Sequence, residues 1–325
     1  MNYLQSIAIF FVFFTITIIS AQKNYWQQSV DYKMEVVLLD SVRQLACKSI
    51  ITYKNNSPDT LHNIYMHLYP NAFQIGSVKH REYMNNYGRD SRAEYFKNDL
   101  VGYESKIDIR SFTIAKNGDI ILLNYKVDDT ILHAKLNKPL LPNEDVRIDM
   151  DWNHHVGGMV ERAGYFEGQY NMAQWYPKLA AYDEEGWHAQ PFHAEGEFYG
   201  EFGDFDISFE LPERFIMGAS GVVISGDPGW QSVRVDTSSD FSEWLEAFEK
   251  KYEEPIESSV RKVRFLAENV HDFAWVASPN FLYEYDNWGG IDIHVLYNKV
   301  NASDWNRVVR QRSVRAMKWL TNKFK

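Results

Sequence analysis

The sequence predicts a mainly β protein: a large antiparallel β-sandwich followed by a short region that ends in a helix. Apolar residues recur at every second position over many segments, which is typical of strands with one buried face. Clusters of Asn, Asp, Gly and Pro separate these segments. Aromatic residues reach 15% of the chain, and aromatic rings pack well on pleated sheets. With 325 residues, the chain is long enough for one large or two ordinary domains.

The N-terminus has the pattern of a signal peptide. A continuous apolar run covers residues 7–19, and Ser20-Ala21 offers a small-residue cleavage point before Gln22. An uncleaved membrane anchor is the alternative. No second run of this kind follows, so we expect no stable membrane span after cleavage near Ala21. The predicted location is secreted, periplasmic or on the cell surface.

The net charge and the cysteine content limit the partners and the cross-links that we expect. The formal net charge is -10, and an acidic chain lacks the basic face that nucleic-acid binding needs, so we expect no nucleic-acid partner. Cys47 is the single cysteine and has no intrachain disulfide partner. It alternates with Leu45 and Ile51, which predicts a buried, inert thiol on a strand.

The strands can be placed in order along the first half of the chain. The first lies within residues 45–53 and ends at the turn cluster 55–59. Asn117-Gly118 predicts a tight hairpin turn between two further strands. Residues 74–105 are polar and without period, which predicts a long loop. The remaining alternating segments of this half are 64–68, 132–136 and 146–152.

The second half changes character twice. Residues 153–200 are rich in aromatics, Gly, His and acids without a clean period, and strands then resume at 205–211, 263–267 and 291–297. An acidic stretch, 226–260, predicts a short surface helix. From Ser303, a predicted N-cap, the apolar residues have helical spacing and form one face. An apolar face needs a partner to cover it, so we expect the chain to be truncated at Lys325, with its helix belonging to an incomplete domain.

Candidate chemical sites are few. The chain has no His-Glu-x-x-His pair, no Gly-x-Ser-x-Gly elbow and no phosphate-binding loop. His188, His193, Glu195 and Glu197, on an extended loop, could converge on a metal, although nothing in their spacing requires it. An aromatic-rich sandwich could also stack sugars, and the residues for that role are Trp175, Tyr176, Tyr182 and Trp187. Core packing is the alternative for these four rings.

Several segments together resemble a secreted bacterial branch of the M1 zinc metallopeptidases, the aminopeptidase N family. The strongest are 171–178 (Asn-Met-Ala-Gln-Trp-Tyr-Pro-Lys), 182–188 (Tyr-Asp-Glu-Glu-Gly-Trp-His) and 200–206 (Gly-Glu-Phe-Gly-Asp-Phe-Asp). Segments 25–28, 55–61, 67–73 and 268–275 agree in order and spacing. The resemblance covers nearly all of the chain after the signal peptide.

The resemblance implies a domain plan. After the signal peptide, 1–21, residues 22–286 would form the saddle-like β-sandwich that opens M1 peptidases. Residues 287–325 would be the truncated start of the α+β, thermolysin-like catalytic domain. Its Gly-x-Met-Glu-Asn strand, its Zn²⁺ ligands, its catalytic Glu and its transition-state Tyr would all lie beyond this chain. The chain would therefore need the remainder of its own catalytic domain as a partner, and we expect it to be inactive alone.

The resemblance also implies a role for the first domain. In the family, zinc and a Glu activate water to cleave peptides from the amino end, and the first domain adds a Glu or Gln that helps bind the substrate amine. Counting back from Tyr176-Pro177 reaches Gly168, and its neighbours Glu167 and Gln169 are the predicted substrate-binding residues. Neither falls in register with the family spacing. The alternatives are a non-catalytic M1-like scaffold and a carbohydrate- or peptide-binding β-sandwich.

Overall fold

The computed structural model describes residues 25–85, 104–116, 119–159, 161–252 and 258–324. Strands predominate over helices, which confirms the predicted mainly β class. The strands are β1 (Ser29–Leu39), β2 (Gln44–Lys54), β3 (Leu61–His67), β4 (Lys106–Lys116), β5 (Asp119–Leu122), β6 (Tyr125–Asp128), β7 (Ile131–Leu140), β8 (Asp145–His155), β9 (Gly164–Phe166), β10 (Gln169–Met172), β11 (Lys178–Leu179), β12 (Tyr182–Asp183), β13 (Gly186–Trp187), β14 (Gly203–Pro212), β15 (Ile216–Ala219), β16 (Val222–Gly226), β17 (Val260–Val270), β18 (Trp275–Ser278), β19 (Phe281–Trp288) and β20 (Ile291–Asn298). The α-helices are α1 (Val78–Asn85), α2 (Phe241–Lys251), α3 (Ala302–Trp305) and α4 (Val308–Lys323).

The described strands form one large sheet and several small ones. The large sheet has eight strands in the order β16-β17-β14-β1-β2-β8-β4-β5. Two four-stranded sheets have the orders β15-β18-β10-β9 and β11-β3-β7-β6, and β12-β13 and β19-β20 are separate pairs. The large sheet is antiparallel, as predicted, except that β1 lies parallel to β14. That parallel pair brings the first strand beside one more than 170 residues later in the sequence.

A single hydrophobic core joins the large sheet to both four-stranded sheets. Residues along β1 alternate between buried and exposed, so every second side chain faces this core. Tyr32 of β1 stacks on Phe205 of β14 with ring centroids 4.7 Å apart. Trp152 of β8 is fully buried and donates a 2.8 Å hydrogen bond from Nε1 to Oγ of Ser49. Cys47 is buried on the same face, as predicted.

One part of the predicted long loop is helical. Residues 78–85 form α1, although their sequence has no helical apolar period. Contacts from distant parts of the chain hold the helix in place. The Val78 N–H donates to Oδ2 of Asp129 at 2.6 Å, and the Lys79 ammonium donates to the Glu161 carboxylate at 2.8 Å. The loop prediction was wrong here because tertiary contacts override local propensity. Residues 86–103 lie outside the described part of the chain.

The structure describes the strands on both sides of the predicted hairpin turn, and it describes the predicted surface helix. The turn residues Asn117 and Gly118 lie outside the described residues, but β4 and β5 pair on either side of them, with Thr113 opposite Leu122. The predicted surface helix in 226–260 is α2, and its N-cap is Asp240, whose Oδ1 accepts from the Ser242 and Glu243 N–H groups. The signal peptide, 1–21, is outside the described residues. No helix in the described part has the length and apolarity to cross a membrane.

The C-terminal elements share a second hydrophobic cluster. The hairpin β19-β20 contributes Leu282, Ile293 and Val295, and side chains of α2 and α4 pack against them. Buried Glu284 of β19 ties the end of the chain to this hairpin, because its carboxylate accepts from the Tyr297 hydroxyl and the Arg307 N–H. The predicted domain boundary at 286/287 falls inside β19. The domain limits stay a prediction.

The last helix is broken, which the sequence did not predict. Arg307, with φ 60°, separates α3 from α4, so Ser303 lies inside α3 and is not the N-cap of a continuous helix. The predicted apolar face is only partly covered after this break. Met317 packs on the second cluster, whereas Leu320 and Phe324 are 43% and 74% exposed.

We expect Trp152→Ala to lower the free energy of unfolding by about 3–5 kcal/mol, because it leaves a cavity in the core and removes the bond to Ser49. The matched control is Ile120→Ala on β5, where the side chain is 77% exposed and the change is about 0.5 kcal/mol or less. Urea denaturation followed by circular dichroism measures both. Equal, small effects of the two substitutions would contradict this account of the core.

Candidate functional site

Two segments far apart in the sequence meet at the carboxylate of Asp272. The Tyr176 hydroxyl donates to Oδ1 at 2.7 Å, and Nε2 of Gln174 donates to Oδ2 at 2.7 Å. The N–H of Phe273 also donates to Oδ1, at 2.9 Å. Gln174 has φ 48°, a backbone conformation that non-glycine residues rarely adopt. The side-chain bond to Asp272 helps to hold it there.

The next residues on both segments extend this junction. The indole N–H of Trp175 donates to the carbonyl oxygen of Phe273 at 3.0 Å, and the Lys178 ammonium donates to the carbonyl oxygen of His271 at 2.7 Å. Burial lowers the pKa of Lys178, and the Asp272 carboxylate 3.8 Å away opposes that shift. Burial raises the pKa of Tyr176 well above its ordinary value, so its hydroxyl stays protonated. The junction is therefore a set of satisfied bonds that positions the chain.

A narrow cleft, with room for about 30 Å³ of solvent, opens beside this junction. Its walls are aromatic, and its polar groups come from four different parts of the chain. Gln174 belongs to both the cleft and the junction. The lining residues are Tyr69, Pro70, Phe73, Ser105, His154, Gly158, Glu161, Arg162, Ala163, Gly164, Ala173, Gln174, Phe192 and Phe198.

A serine and a histidine meet at one wall of the cleft. Oγ of Ser105 lies 2.9 Å from Nε2 of His154 and 3.2 Å from the carbonyl oxygen of His155. Burial, with a smaller effect from His155, lowers the pKa of His154 to about 3. The imidazole is therefore neutral at physiological pH. Such a weak base is suited to accepting the serine hydrogen bond, and it is poorly suited to taking up a proton in catalysis.

A buried lysine pairs with Glu161, which lines the cleft. The Lys79 side chain is 1% exposed, and its ammonium lies 2.8 Å from the Glu161 carboxylate. The ammonium also lies over the ring of Phe192, 4.0 Å from its centroid, and over that of Phe73 at 4.9 Å. Aromatic faces and a carboxylate both favour a cation, so these groups satisfy the charge of Lys79. The Tyr83 hydroxyl completes the group with a 3.1 Å bond to Glu161.

The predicted substrate-binding residues lie outside this cleft lining. Glu167 is exposed in the turn between β9 and β10, with φ 45°. Gln169 opens β10, is half-buried, and donates from Nε2 to Oδ1 of Asn171 at 2.9 Å. The intervening Gly168, with φ 85°, packs near Pro279. Their role in binding an amine stays a prediction.

The other candidate sites can be placed as well. Within the described residues, no group of three or more His, Cys, Asp or Glu side chains could hold a metal ion, so His188, His193, Glu195 and Glu197 do not converge on one. Trp175 and Tyr176 are fully buried, so they pack the core and offer no surface for sugars. His154 and His155 point to opposite faces of β8, as their adjacency predicted.

The cleft residues that the sequence missed carried little sequence signal. Ser105, His154 and Glu161 come from separate positions in the sequence, and only the folded chain brings them to one cleft. The positive φ of Glu161 and of Gln174 cannot be read from residue type. One clue was present in the sequence, since Gln174 lies within the 171–178 motif.

Comparison with known proteins finds structural neighbours only. No family model matches the sequence, and no curated protein matches it. Among solved structures, a single-residue mutant of an M1 zinc metallopeptidase from Deinococcus radiodurans, bound to a Tyr-Ser-Ala substrate, has 10% identity and a TM-score of 0.45. The match covers 84% of this chain and 48% of that one.

Two further structures give similar values. A mutant two-domain M1 zinc metallopeptidase bound to L-tryptophan has 10% identity and a TM-score of 0.43, with 84% of this chain and 48% of that chain covered. The M1 zinc metallopeptidase from Deinococcus radiodurans has 11% identity and a TM-score of 0.41, with 83% and 46% covered. This chain therefore spans about half the length of these neighbours. TM-scores below 0.5 carry no inference about activity.

Removing the Asp272 carboxylate should destabilise the fold through the groups that it leaves unpaired. We expect Asp272→Ala to cost about 1–3 kcal/mol for each buried donor without an acceptor, above all the Tyr176 hydroxyl. Tyr176→Phe removes that donor, so the double variant should lose less than the sum of the single losses. Urea denaturation of the four proteins measures the coupling. Additive losses, within about 0.3–0.5 kcal/mol, would show that the bond contributes nothing specific.

Two buried histidines should make the fold sensitive to acid. Burial lowers the pKa of His154 to about 3 and that of His67 to about 4. An unfolded imidazole binds a proton near pH 6.5, so unfolding takes up protons and stability falls as the pH drops below that value. The expected slope is up to about 1.4 kcal/mol per pH unit for each histidine, continuing down to about pH 4.

Denaturation at a series of pH values measures this slope. His154→Gln and His67→Gln should each reduce it, even where they also lower the stability itself. The control is His62→Gln, which changes an exposed side chain on β3 and should leave the slope as it is. A slope that neither core variant changes would refute the assignment.

Proposed function

We propose that this chain is the N-terminal, β-rich part of a secreted zinc-dependent M1 aminopeptidase, which removes residues from the amino end of peptides. Support comes from the ordered motifs in the sequence and from the β-sandwich that they build. Under this proposal the chain's own task is to support and orient the substrate next to the catalytic domain. Signal-peptide cleavage near Ala21 would deliver it outside the cytoplasm.

The observation that carries the proposal is the junction at Asp272. The segments 171–178 and 268–275 are two parts of the sequence resemblance, and the chain between them spans residues 179–267. In the structure, hydrogen bonds from Gln174, Trp175, Tyr176 and Lys178 connect the first segment to the second. Residues that carry a shared structural purpose are expected to lie together in this way. A chance resemblance gives no reason for the two segments to meet.

The zinc ion of the proposed enzyme does not fit the described residues of this chain. The chemistry of a zinc site needs three or four His, Cys, Asp or Glu ligands. Within the described ranges, no group of three such side chains is arranged to bind one. We therefore place the ligands in sequence beyond Lys325 and derive no catalytic step from the residues here. For the substrate amine we retain Glu167 and Gln169 as the proposed contacts.

The coding sequence that follows Lys325 tests the proposal. We expect a Gly-x-Met-Glu-Asn strand and then a His-Glu-x-x-His helix. The longer protein should hydrolyse aminoacyl-anilides, and a chelator should abolish that activity. The matched control is the 325-residue chain, which should show no turnover above its own chelator-treated sample and bind no stoichiometric zinc.

Other outcomes are informative. A continuation that lacks both motifs would refute the peptidase, and a catalytic-like fold without the zinc ligands would support the non-catalytic scaffold. Binding in a glycan array that Trp187→Ala abolishes would favour the sugar-binding alternative. Chelator-sensitive turnover by the 325-residue chain itself would show that its metal site has been misplaced.

A further inference from the structure

Residues 188–199 form a segment without helix or strand between β13 and β14, which we name the strap. The strap lies against α1 and along the cleft described above. Its two phenylalanines, Phe192 and Phe198, are part of the cleft wall. The Phe192 N–H donates to Oγ1 of Thr130 at 2.9 Å, and the Phe192 ring covers the Lys79 ammonium. If the strap moved away, the cleft would lose one wall and the buried Lys79 ammonium would lose the Phe192 ring that covers it.

The strap is held by a histidine–carboxylate pair at its first residue and another near its centre. Nε2 of His188 lies 2.8 Å from Oδ2 of Asp183, although the direction of approach is poor for a hydrogen bond. Nδ1 of His193 lies 2.6 Å from Oε1 of Glu82 on α1. The Ala194 N–H donates to the other oxygen of Glu82 at 2.8 Å. Each pair joins the strap to a different element.

The apolar contacts of the strap are separate from the main core. Phe192 and Ala194 pack against a small cluster made of Ala72, Phe73 and Tyr83. This cluster is distinct from the large core that holds the sheets together. Small satellite clusters beneath long loops open at lower free energy than the core does. The strap can therefore open while the sandwich stays folded.

We propose that the strap is a pH-dependent lid on the cleft, latched by its two histidine–carboxylate pairs in acid and loosened as the pH rises. Imidazoles change charge between about pH 5 and 8, and an imidazolium bonds a carboxylate more strongly than a neutral imidazole does. Protonation therefore favours the closed strap. The contact at His188 depends most on charge, because its geometry as a hydrogen bond is poor.

The partner carboxylates keep their charge through this range. Burial opposes ionisation of Glu82, but bonds from the Ala194 N–H and from His193 lower its pKa below the ordinary value. The pKa of Asp183 is lowered likewise, against burial, by the nearby His188 and by hydrogen bonds from the Glu185 N–H and the Tyr199 hydroxyl. Other titratable or charged groups facing the two histidines are His67, Arg81, Lys178, Glu201 and the strap's own Glu195 and Glu197. Because the carboxylates stay ionised, the histidines control the latch.

Hydrogen exchange by mass spectrometry on the intact chain tests the lid, at about pH 5.5 and about pH 8. After correction for intrinsic exchange rates, protection of the strap peptide should fall about three- to tenfold on going to the higher pH. Peptides from β14 serve as an internal reference for global unfolding. Their protection should change in the opposite direction, because the buried histidines destabilise the fold in acid.

The decisive variant is His188→Gln/His193→Gln, in which both side chains can still donate hydrogen bonds but cannot become charged. Its strap protection should be nearly equal at the two pH values. The matched control, His62→Gln, should keep the wild-type ratio. Glu82→Gln neutralises the carboxylate that pairs with His193 and leaves the His188–Asp183 pair in place. The logarithm of its ratio of strap protection between the two pH values should be roughly half that of the wild type. Equal strap protection at both pH values in the wild-type chain would overturn the proposal, as would an undiminished ratio in the double-histidine variant.

Discussion

The hydrogen bonds to the Asp272 carboxylate are the constraint on which the surrounding structure depends. They help to hold the positive φ of Gln174, pair the buried Tyr176 hydroxyl, and join two segments that are far apart in the sequence. The half-buried Asp272 carboxylate accepts from three donors, which stabilise its charge. The cleft begins at Gln174, so its position follows directly from this junction.

The same junction gives the 171–178 segment a structural role in the fold. Trp175 and Tyr176 are fully buried and pack against Trp152 and Phe205 of the large sheet. Rings in this order and spacing maintain the distance between the sheets.

Sequence periodicity predicted those elements whose burial is one-sided, such as β2, β8 and the strand β20, because alternation records a buried face directly. Periodicity failed to predict elements whose conformation depends on contacts with distant parts of the chain. α1 depends on Asp129 and Glu161, and the break before α4 follows from the backbone conformation of Arg307. The cleft could not be predicted for the same reason, since its polar groups come from separate segments. Gln174, which belongs to both the cleft and the junction, does lie within the 171–178 segment.

Under the lid proposal, acid destabilises the core and stabilises the closed strap. The difference lies in how deeply the two pairs of histidines are buried. His67 and His154 lie inside the fold, where a charge cannot be solvated, so protonation opposes folding. His188 and His193 each lie beside a carboxylate, and under the lid proposal these pairs hold the strap. If the strap becomes more stable in acid while the core becomes less stable, the strap must open and close in an equilibrium separate from global unfolding. The separation of the small aromatic cluster from the main core provides the structural basis for that independence.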